Sequence, residues 1–235
     1  MQDTYSCTKD VSAEQICEAA RFFSAHYGVW GKSAVENMGT SVKAGARVKI
    51  SPKLLYTKIL PGDRDNSYLS MRRGTELLGI LFATRWMYQG KTILWVTQLC
   101  VHREHRNEGI AKRLLNTVKN DKDYAVGILS SHPFSISAVA RTFGNGIEGI
   151  DLDVMRSEAR DIMGTCPVTY VREAKLHGAL FEDGSADGTI SCADTQFWVD
   201  HHEPEAALQT IKDKGIVWPL GYLPEGHEYL LFVRI

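Results

Sequence analysis

The residues with the clearest chemical potential run from Leu99 to Leu115, LCVHREHRNEGIAKRLL. An apolar stretch ends at Val101, and a polar turn carries Arg106, Asn107, Glu108 and Gly109. Ile110, Ala111, Leu114 and Leu115 then recur at helical spacing. Strand, glycine-bearing turn and helix in that order aim unpaired backbone N–H groups at an anion, with the positive end of the helix dipole behind them. A side chain at position 109 would stand in the anion's way, and the small Ala111 lets the helix start lie close to it. Arg106 begins the turn, as support or as added charge. Lys112 and Arg113 fall on or near the outer face, where a solvated cation and a phosphate contact are both open.

The spacing Arg-x-x-Gly-x-Ala from Arg106 to Ala111, with Leu-x-Val at Leu99 and Val101 before it, resembles the pyrophosphate-binding motif of the GNAT superfamily. These are acyl-CoA-dependent N-acyltransferases. The resemblance implies acetyl-CoA as donor, without a metal. Its diphosphate would rest on the turn Arg106, Asn107, Glu108, Gly109, Ile110 and Ala111, with Lys112 near its 3′-phosphate. It also implies pantetheine on the backbone of Cys100 and Val101, and an oxyanion donor from the backbone at Leu99 or Cys100. Ser130 would bond pantetheine or the leaving sulfur, and Arg141 would meet a phosphate. The expected fold is α/β (α+β): a mixed, mostly antiparallel central sheet flanked by helices, with an enlarged C-terminal part. The C-terminal third is also similar to uncharacterised fungal acetyltransferase-like proteins, through FWVDHH at Phe197–His202 and LPEGHEYLLF at Leu223–Phe232. That likeness carries no known substrate.

Two departures from the family pattern concern the protons. Many members carry a glutamate on the fourth strand, where this chain has Trp95-Val96-Thr97-Gln98. Many also place a tyrosine in the helix after the fifth strand, where this chain reads Ala138 to Phe143 without one. Base and acid then come from elsewhere, or positioning and solvent suffice. His132, in Ser130-Ser131-His132-Pro133, is the substitute base, because a helix N-terminus disfavours the imidazolium. Ser131, beside it, is a second candidate catalytic residue. The alternative is that Ser131 or His132 simply caps the helix. No G-x-S-x-G elbow surrounds either serine, so neither is read as a hydrolase nucleophile. Trp30, Gln98 and His201 are expected to line the acceptor site. Tyr27, Trp86 and Tyr88 could join them or belong to the core. Asp200-His201-His202-Glu203 looks like a metal cluster, but adjacent histidines diverge and no further ligand has metal-motif spacing. Asp200 fits a helix cap better.

The elements that must position these residues can be read from the pattern. Ser12 to Gln15 reads as a capping box for a helix reaching Tyr27, and Ser51-Pro52 opens a short helix through Ile59. Pro61-Gly62-Asp63 turns the chain. Three strands are expected at 67–73, 76–88 and 91–101 as a meander, with turns at Arg73-Gly74 and Gln89-Gly90. A helix to about Val118, a strand at 125–130 and a helix from Pro133 to Phe143 complete a core at about 67–146. For the extension at about 147–235 we expect a helix at 151–163 and strands at 168–175 and 190–200. An acidic loop at 181–188, a helix at 203–214 and a strand at 228–234 complete it, all on the same sheet. The whole of 1–235 is read as one domain.

The bulk numbers limit the alternatives. A chain of 235 residues can bury a sizeable core. With 27 basic and 28 acidic residues, it has no charge excess with which to hold nucleic acid. No apolar run approaches membrane-spanning length, and MQDTYSCTKD lacks the apolar centre of a secretory leader. Five cysteines without C-x-x-C pairing suit reduced thiols and a cytoplasmic protein. The expectation is direct transfer of acetyl to a primary amine of a small molecule by a monomer or homodimer. The alternatives are a protein lysine or N-terminal acetyltransferase, and a non-catalytic acyl-CoA sensor.

Overall fold

Ser12 opens the first long helix by a reciprocal cap: its hydroxyl accepts the Gln15 N–H at 3.2 Å, and the Gln15 side chain accepts the Ser12 N–H at 2.9 Å. The structure, a computed structural model, describes residues 3–62, 64–181 and 187–235. Strand β1 (Asp3–Thr8) precedes α1 (Ala13–His26), then come α2 (Ala34–Met38) and α3 (Pro52–Ile59). The meander continues the chain as β2 (Asp65–Arg73), β3 (Glu76–Tyr88) and β4 (Lys91–Val101). Helix α4 (Ile110–Val118), β5 (Asp123–Ser130) and α5 (Pro133–Phe143) complete the expected core. Beyond it lie α6 (Leu152–Gly164), α7 (Thr169–Glu173), β6 (Lys175–His177), β7 (Cys192–Asp194), α8 (His202–Asp213) and β8 (His227–Arg234).

Among the described residues eight strands form one sheet in the order β1-β2-β3-β4-β5-β8-β7-β6. Only β4 and β5 run parallel, as the intervening helix α4 requires. Helix α4 buries Ile110, Leu114, Leu115 and Val118, each worth about 1.5–3 kcal/mol of apolar burial. Gly79 beneath it leaves the room, since a Cβ there would lie 2.7 Å from the Ile110 methyl. At the root of the parallel pair the Trp95 ring lies on Gly127, where any side chain would collide at 2.1 Å. Nearby, Arg85 grips the almost fully buried Asp123 through Nε at 2.8 Å and Nη2 at 2.9 Å. A bidentate pair at that depth fixes β5 against β3.

Four stretches differ from expectation. β1 and α2 lie in segments read as polar opening and loop. The strand expected at 168–175 is largely the helical turn α7: the Val168 carbonyl accepts the N–H groups of Val171 and Arg172, and both valines are buried three residues apart. The strand expected at 190–200 shrinks to β7. There Asp194 Oδ1 accepts the Gln196 N–H, and Gln196 takes a left-handed φ of 57°, which ends the extended run. Most of the acidic loop expected at 181–188 lies outside the described residues, as does Asp63 of the Pro61–Asp63 turn.

Candidate active site

The site begins where β4 and β5 part. Their pairing stops at Val96 opposite Ile128, so the last five residues of β4 keep β3 as their strand partner among the described residues. Thr97 forms a bulge, because Gln98 faces Phe82 while Val96 faces Ala83. The His102 N–H donates to Leu78 on the β3 side at 2.8 Å, and the Cys100 carbonyl turns the same way, over Gly79. Strand alternation therefore turns the N–H and C=O groups of Leu99 and Val101 toward the gap. Of the backbone donors expected at 99–101, Cys100 is the one whose main chain faces away.

The turn stands at the mouth of this gap. Asn107 and Gly109 take φ of 67° and 77°, and Gly109 is the N-cap of α4. A Cβ on Gly109 would meet nothing closer than 3.9 Å, so the left-handed backbone rather than crowding calls for glycine. The first intrahelical bond is Arg113 N–H to the Gly109 carbonyl, which leaves the amides of Ile110, Ala111 and Lys112 ahead of it. Arg106 supports the turn rather than presenting its charge. Its Nη2 donates to the His26 carbonyl at 2.7 Å, and its guanidinium is ion-paired with Glu203 of α8. Glu108 is turned outward onto His105 at 2.9 Å and Arg73 at 3.3 Å.

A cavity of about 540 Å³ runs from the turn into the gap. Leu99, Cys100, Val101, Arg106, Asn107, Gly109, Ile110, Ala111, Lys112, Ser130, Ser131, His132 and Arg141 all line it. Glu108, Trp30, Gln98 and His201 are not among its walls. Trp30 packs edge-on against Phe197, and His201 lines a separate cavity with Ser131 and Tyr229. The sequence reading missed Arg47 and Lys214, which add positive charge to the same walls. The side chains of Leu99 and Val101 pack with the α4 core, whereas Cys100 packs with Ile80 and Phe82 beneath α1. The cavity therefore passes through the sheet.

His132 is the N-cap of α5, and its Nδ1 accepts the Phe134 N–H at 3.3 Å. That bond places the proton of the neutral ring on Nε2, 3.7 Å from Glu203. Burial and the Arg106 charge push its pKa down to about 4, so the ring stays neutral. With one nitrogen capping and the other protonated, His132 has no lone pair to offer the cavity. The geometry thus favours a cap over the base that its position suggested.

A different acid is buried off the walls of this cavity. Glu228 of β8 is buried, and burial pushes its carboxyl up to about 7. Tyr27, which lines the cavity, and Tyr170 are close enough for the Glu228 charge to disfavour their ionisation. One signal for Glu228 was present in the sequence: an acid on the strand face that it shares with Leu230 and Phe232. The run 200–203 divides its labour. Asp200 Oδ1 accepts the His202 N–H at 3.0 Å, Glu203 holds Arg106, and the four side chains do not converge. Another trio, Glu76, His102 and His105, brings ligand atoms within 4.8 Å, with His102 Nδ1 accepting the Glu104 N–H.

The GNAT acetyltransferase family model matches residues 46–127, from the segment before α3 to β5, turn included. No curated protein matches the chain. Among solved structures, a ribosomal-protein-alanine N-acetyltransferase from Brucella melitensis biovar Abortus 2308 is 18% identical, over 50% of this chain and 69% of that one, with a TM-score of 0.32. An aminoglycoside acetyltransferase from an uncultured soil metagenomic sample, in complex with sisomicin, is 12% identical over 63% and 92%, with a TM-score of 0.41. The PaiA N-acetyltransferase from Thermoplasma acidophilum, in complex with coenzyme A, is 16% identical over 55% and 80%, with a TM-score of 0.37.

Proposed function

We propose, on the premise that this chain belongs to the GNAT acetyltransferase family, that residues 1–235 act as one domain that transfers acetyl directly from acetyl-CoA to a primary amine of a small molecule. The observation that carries this is the parting of β4 from β5, with the glycine turn at its mouth and the Leu99 and Val101 backbone facing in. The diphosphate would lie on the amides of Ile110, Ala111 and Lys112, with Lys112, Arg141 and Lys214 as phosphate partners. Pantetheine would continue the strand pattern along Val101, and the Leu99 N–H would hold the carbonyl oxygen as it gains charge. Ser130 and Ser131 stand beside the thioester's path. The acceptor contacts expected of Trp30, Gln98 and His201 pass to Tyr27, Val199 and Asp200 on the cavity walls.

Direct transfer is favoured over an acyl-cysteine route because burial pushes the Cys100 thiol up to about 12, which leaves almost no thiolate. A small acceptor is favoured because Val199 and Asp200, from the C-terminal extension, wall the cavity. Cys7, Cys17, Cys100 and Cys166 are free thiols, in keeping with cytoplasmic work as a monomer or homodimer. No helix among the described residues is long and apolar enough to cross a membrane. The test is calorimetric titration with CoA, followed by thiol release from acetyl-CoA with a panel of amines. No CoA binding would sink the proposal, and binding without turnover would leave a sensor.

A further inference from the structure

One wall of the cavity is a short ribbon in which the segments 28–31, 45–48 and 197–200 run side by side. Val29 pairs with Arg47 and Trp30 with Val199, both antiparallel. On one side the Trp30 and Val48 N–H groups donate to the Ala46 and Gly28 carbonyls at 2.9 and 3.1 Å. On the other, the Gly31 and Asp200 N–H groups donate to the Trp198 and Val29 carbonyls, both at 2.9 Å. Register then puts Arg47, Val29 and Asp200 in one row across the ribbon and on one face of it. Their neighbours turn the other way: Val48 and Val199 are buried with Phe23 of α1, and Trp30 packs against them. Arg47, Val29 and Asp200 all line the cavity.

The row carries two opposite charges held apart. Opposite residues of antiparallel strands lie about 4.5–5.5 Å apart at Cα, so Arg47 and Asp200 stand roughly 10 Å apart with Val29 between them. Among the described residues neither has an ion-pair partner. Asp200 commits Oδ1 to the His202 N–H at 3.0 Å, which leaves Oδ2 for a ligand. The ribbon leans on α1, on the other side of the sheet from α4 and α5, which carry Lys112 and Arg141. Arg47 is therefore away from the phosphate end. The Asp200 end of the row is nearer the thioester's path, since Glu203, three residues on, lies 3.7 Å from His132 at the start of α5.

We propose that this row selects the acceptor, and that the acceptor is an amino carboxylate: Asp200 receives its ammonium group and Arg47 its carboxylate. A guanidinium takes a carboxylate through two parallel N–H bonds, and a carboxylate oxygen takes an N–H of an ammonium group. Val29 offers an apolar strip to the carbons between them. A diamine would bring its second cation against Arg47 and be repelled. This rests on the acetyl-CoA reading above and adds to it the class of the second substrate. The ammonium group releases one proton to solvent, and its neutral nitrogen forms a bond to the thioester carbonyl carbon as the C–S bond breaks. The second proton leaves nitrogen for the departing thiolate, so the products are an N-acetylated amino carboxylate and CoA thiol. Arg47 touches none of the reacting atoms. It decides which amine is held.

The experiment compares the full chain with Arg47→Gln, Arg47→Lys and Arg47→Glu. Each is titrated with CoA by calorimetry and assayed for thiol release from acetyl-CoA. The acceptors are free alanine, 4-aminobutyrate and 6-aminohexanoate, set against isopropylamine, butylamine and hexylamine, which carry a methyl in place of the carboxylate. A dication, 1,4-diaminobutane, completes the series. We expect the native protein to prefer the best amino carboxylate over its methyl counterpart by about tenfold or more in kcat/KM, the worth of one charged hydrogen-bonded pair. Arg47→Gln should bring that ratio close to one by raising KM for the amino carboxylates, with CoA affinity kept. Arg47→Lys should keep part of the preference, and Arg47→Glu should turn it toward 1,4-diaminobutane. A residue that merely held the fold would lower both series alike. No preference in the native protein, or one that survives Arg47→Gln, would overturn the assignment. So would a loss of CoA affinity in Arg47→Gln, which would place the arginine on the cofactor. CoA binding without turnover of any amino carboxylate would overturn this site alone. Failure of the native protein to bind CoA would overturn the acetyl-CoA reading and this site with it.

Discussion

The two ends of the cavity are built on opposite plans. The outer end is built chiefly on one run of chain, Arg106 to Lys112, whose main-chain amides no side chain can replace. The inner end draws Tyr27 from the end of α1, Cys100 from β4, Ser131 from beyond β5 and Val199 from before α8. Its useful groups are side chains from four distant segments. A ligand part common to every turnover can be held by backbone, since a diphosphate does not change. An acceptor must be told from its rivals, and that calls for side chains whose replacement changes the choice.

The sharpest way to break the contrast is Gly109→Asp. A carboxylate about 4 Å from the diphosphate costs about 4 kcal/mol at an effective dielectric of about 20. CoA affinity should therefore fall about a thousandfold in calorimetry while the circular dichroism stays native. Unchanged affinity would remove the turn from the cofactor site. Off the cavity, Glu228→Gln should act on stability rather than on CoA binding. Its carboxyl rises from 4.5 to about 7, so the folded protein keeps a proton that the unfolded chain has released. Stability is then lost as pH rises through that window, by about 3 kcal/mol in all. Urea unfolding at pH 5 and pH 8 should show the native protein losing about 2.5 kcal/mol of this relative to Glu228→Gln. Parallel behaviour of the two would mean that the acid is not buried as described.

Two smaller effects sharpen the outer end. CoA at a hundred times its dissociation constant should stabilise the fold by about 2.7 kcal/mol, and ATP at the same concentration by much less. Equal thermal shifts would reduce the turn to a general phosphate site. His132→Ala should cost about 1 kcal/mol of stability, as a lost cap does, with turnover and its pH profile unchanged. A mutant of native stability but depressed rate would return His132 to the chemistry.

Legibility in the sequence divides along the same line. The turn was readable because every feature it needs is local: Gly109 for the left-handed backbone, and Ile110, Leu114 and Leu115 for the helix that backs it. The meander and α5 were readable for the same reason, through strand patterning, turn glycines and Pro133. Local signals misled where tertiary contacts decided. Val168 and Val171 suggest a strand, yet they are buried side by side as one helical turn. Asp194 and Gln196 end β7 with a turn hidden inside an apolar run. Glu228 could not be placed because nothing near it in sequence shows that Tyr27 and Tyr170 lie close enough to feel its charge. His132 was correctly located, but its cap bond to Phe134 appears only in three dimensions.

Arg106 has a consequence in time as well as in space. One guanidinium joins the His26 carbonyl at the end of α1 to Glu203 at the start of α8, and it does so from within the diphosphate turn. None of the three segments can open far without breaking that grip. Their amide hydrogens should therefore exchange with solvent as one cooperative unit, at a common rate. A cofactor settling on the turn would slow exchange at the first turn of α8 without touching most of it. The clock of the C-terminal helix would be set from the middle of the chain.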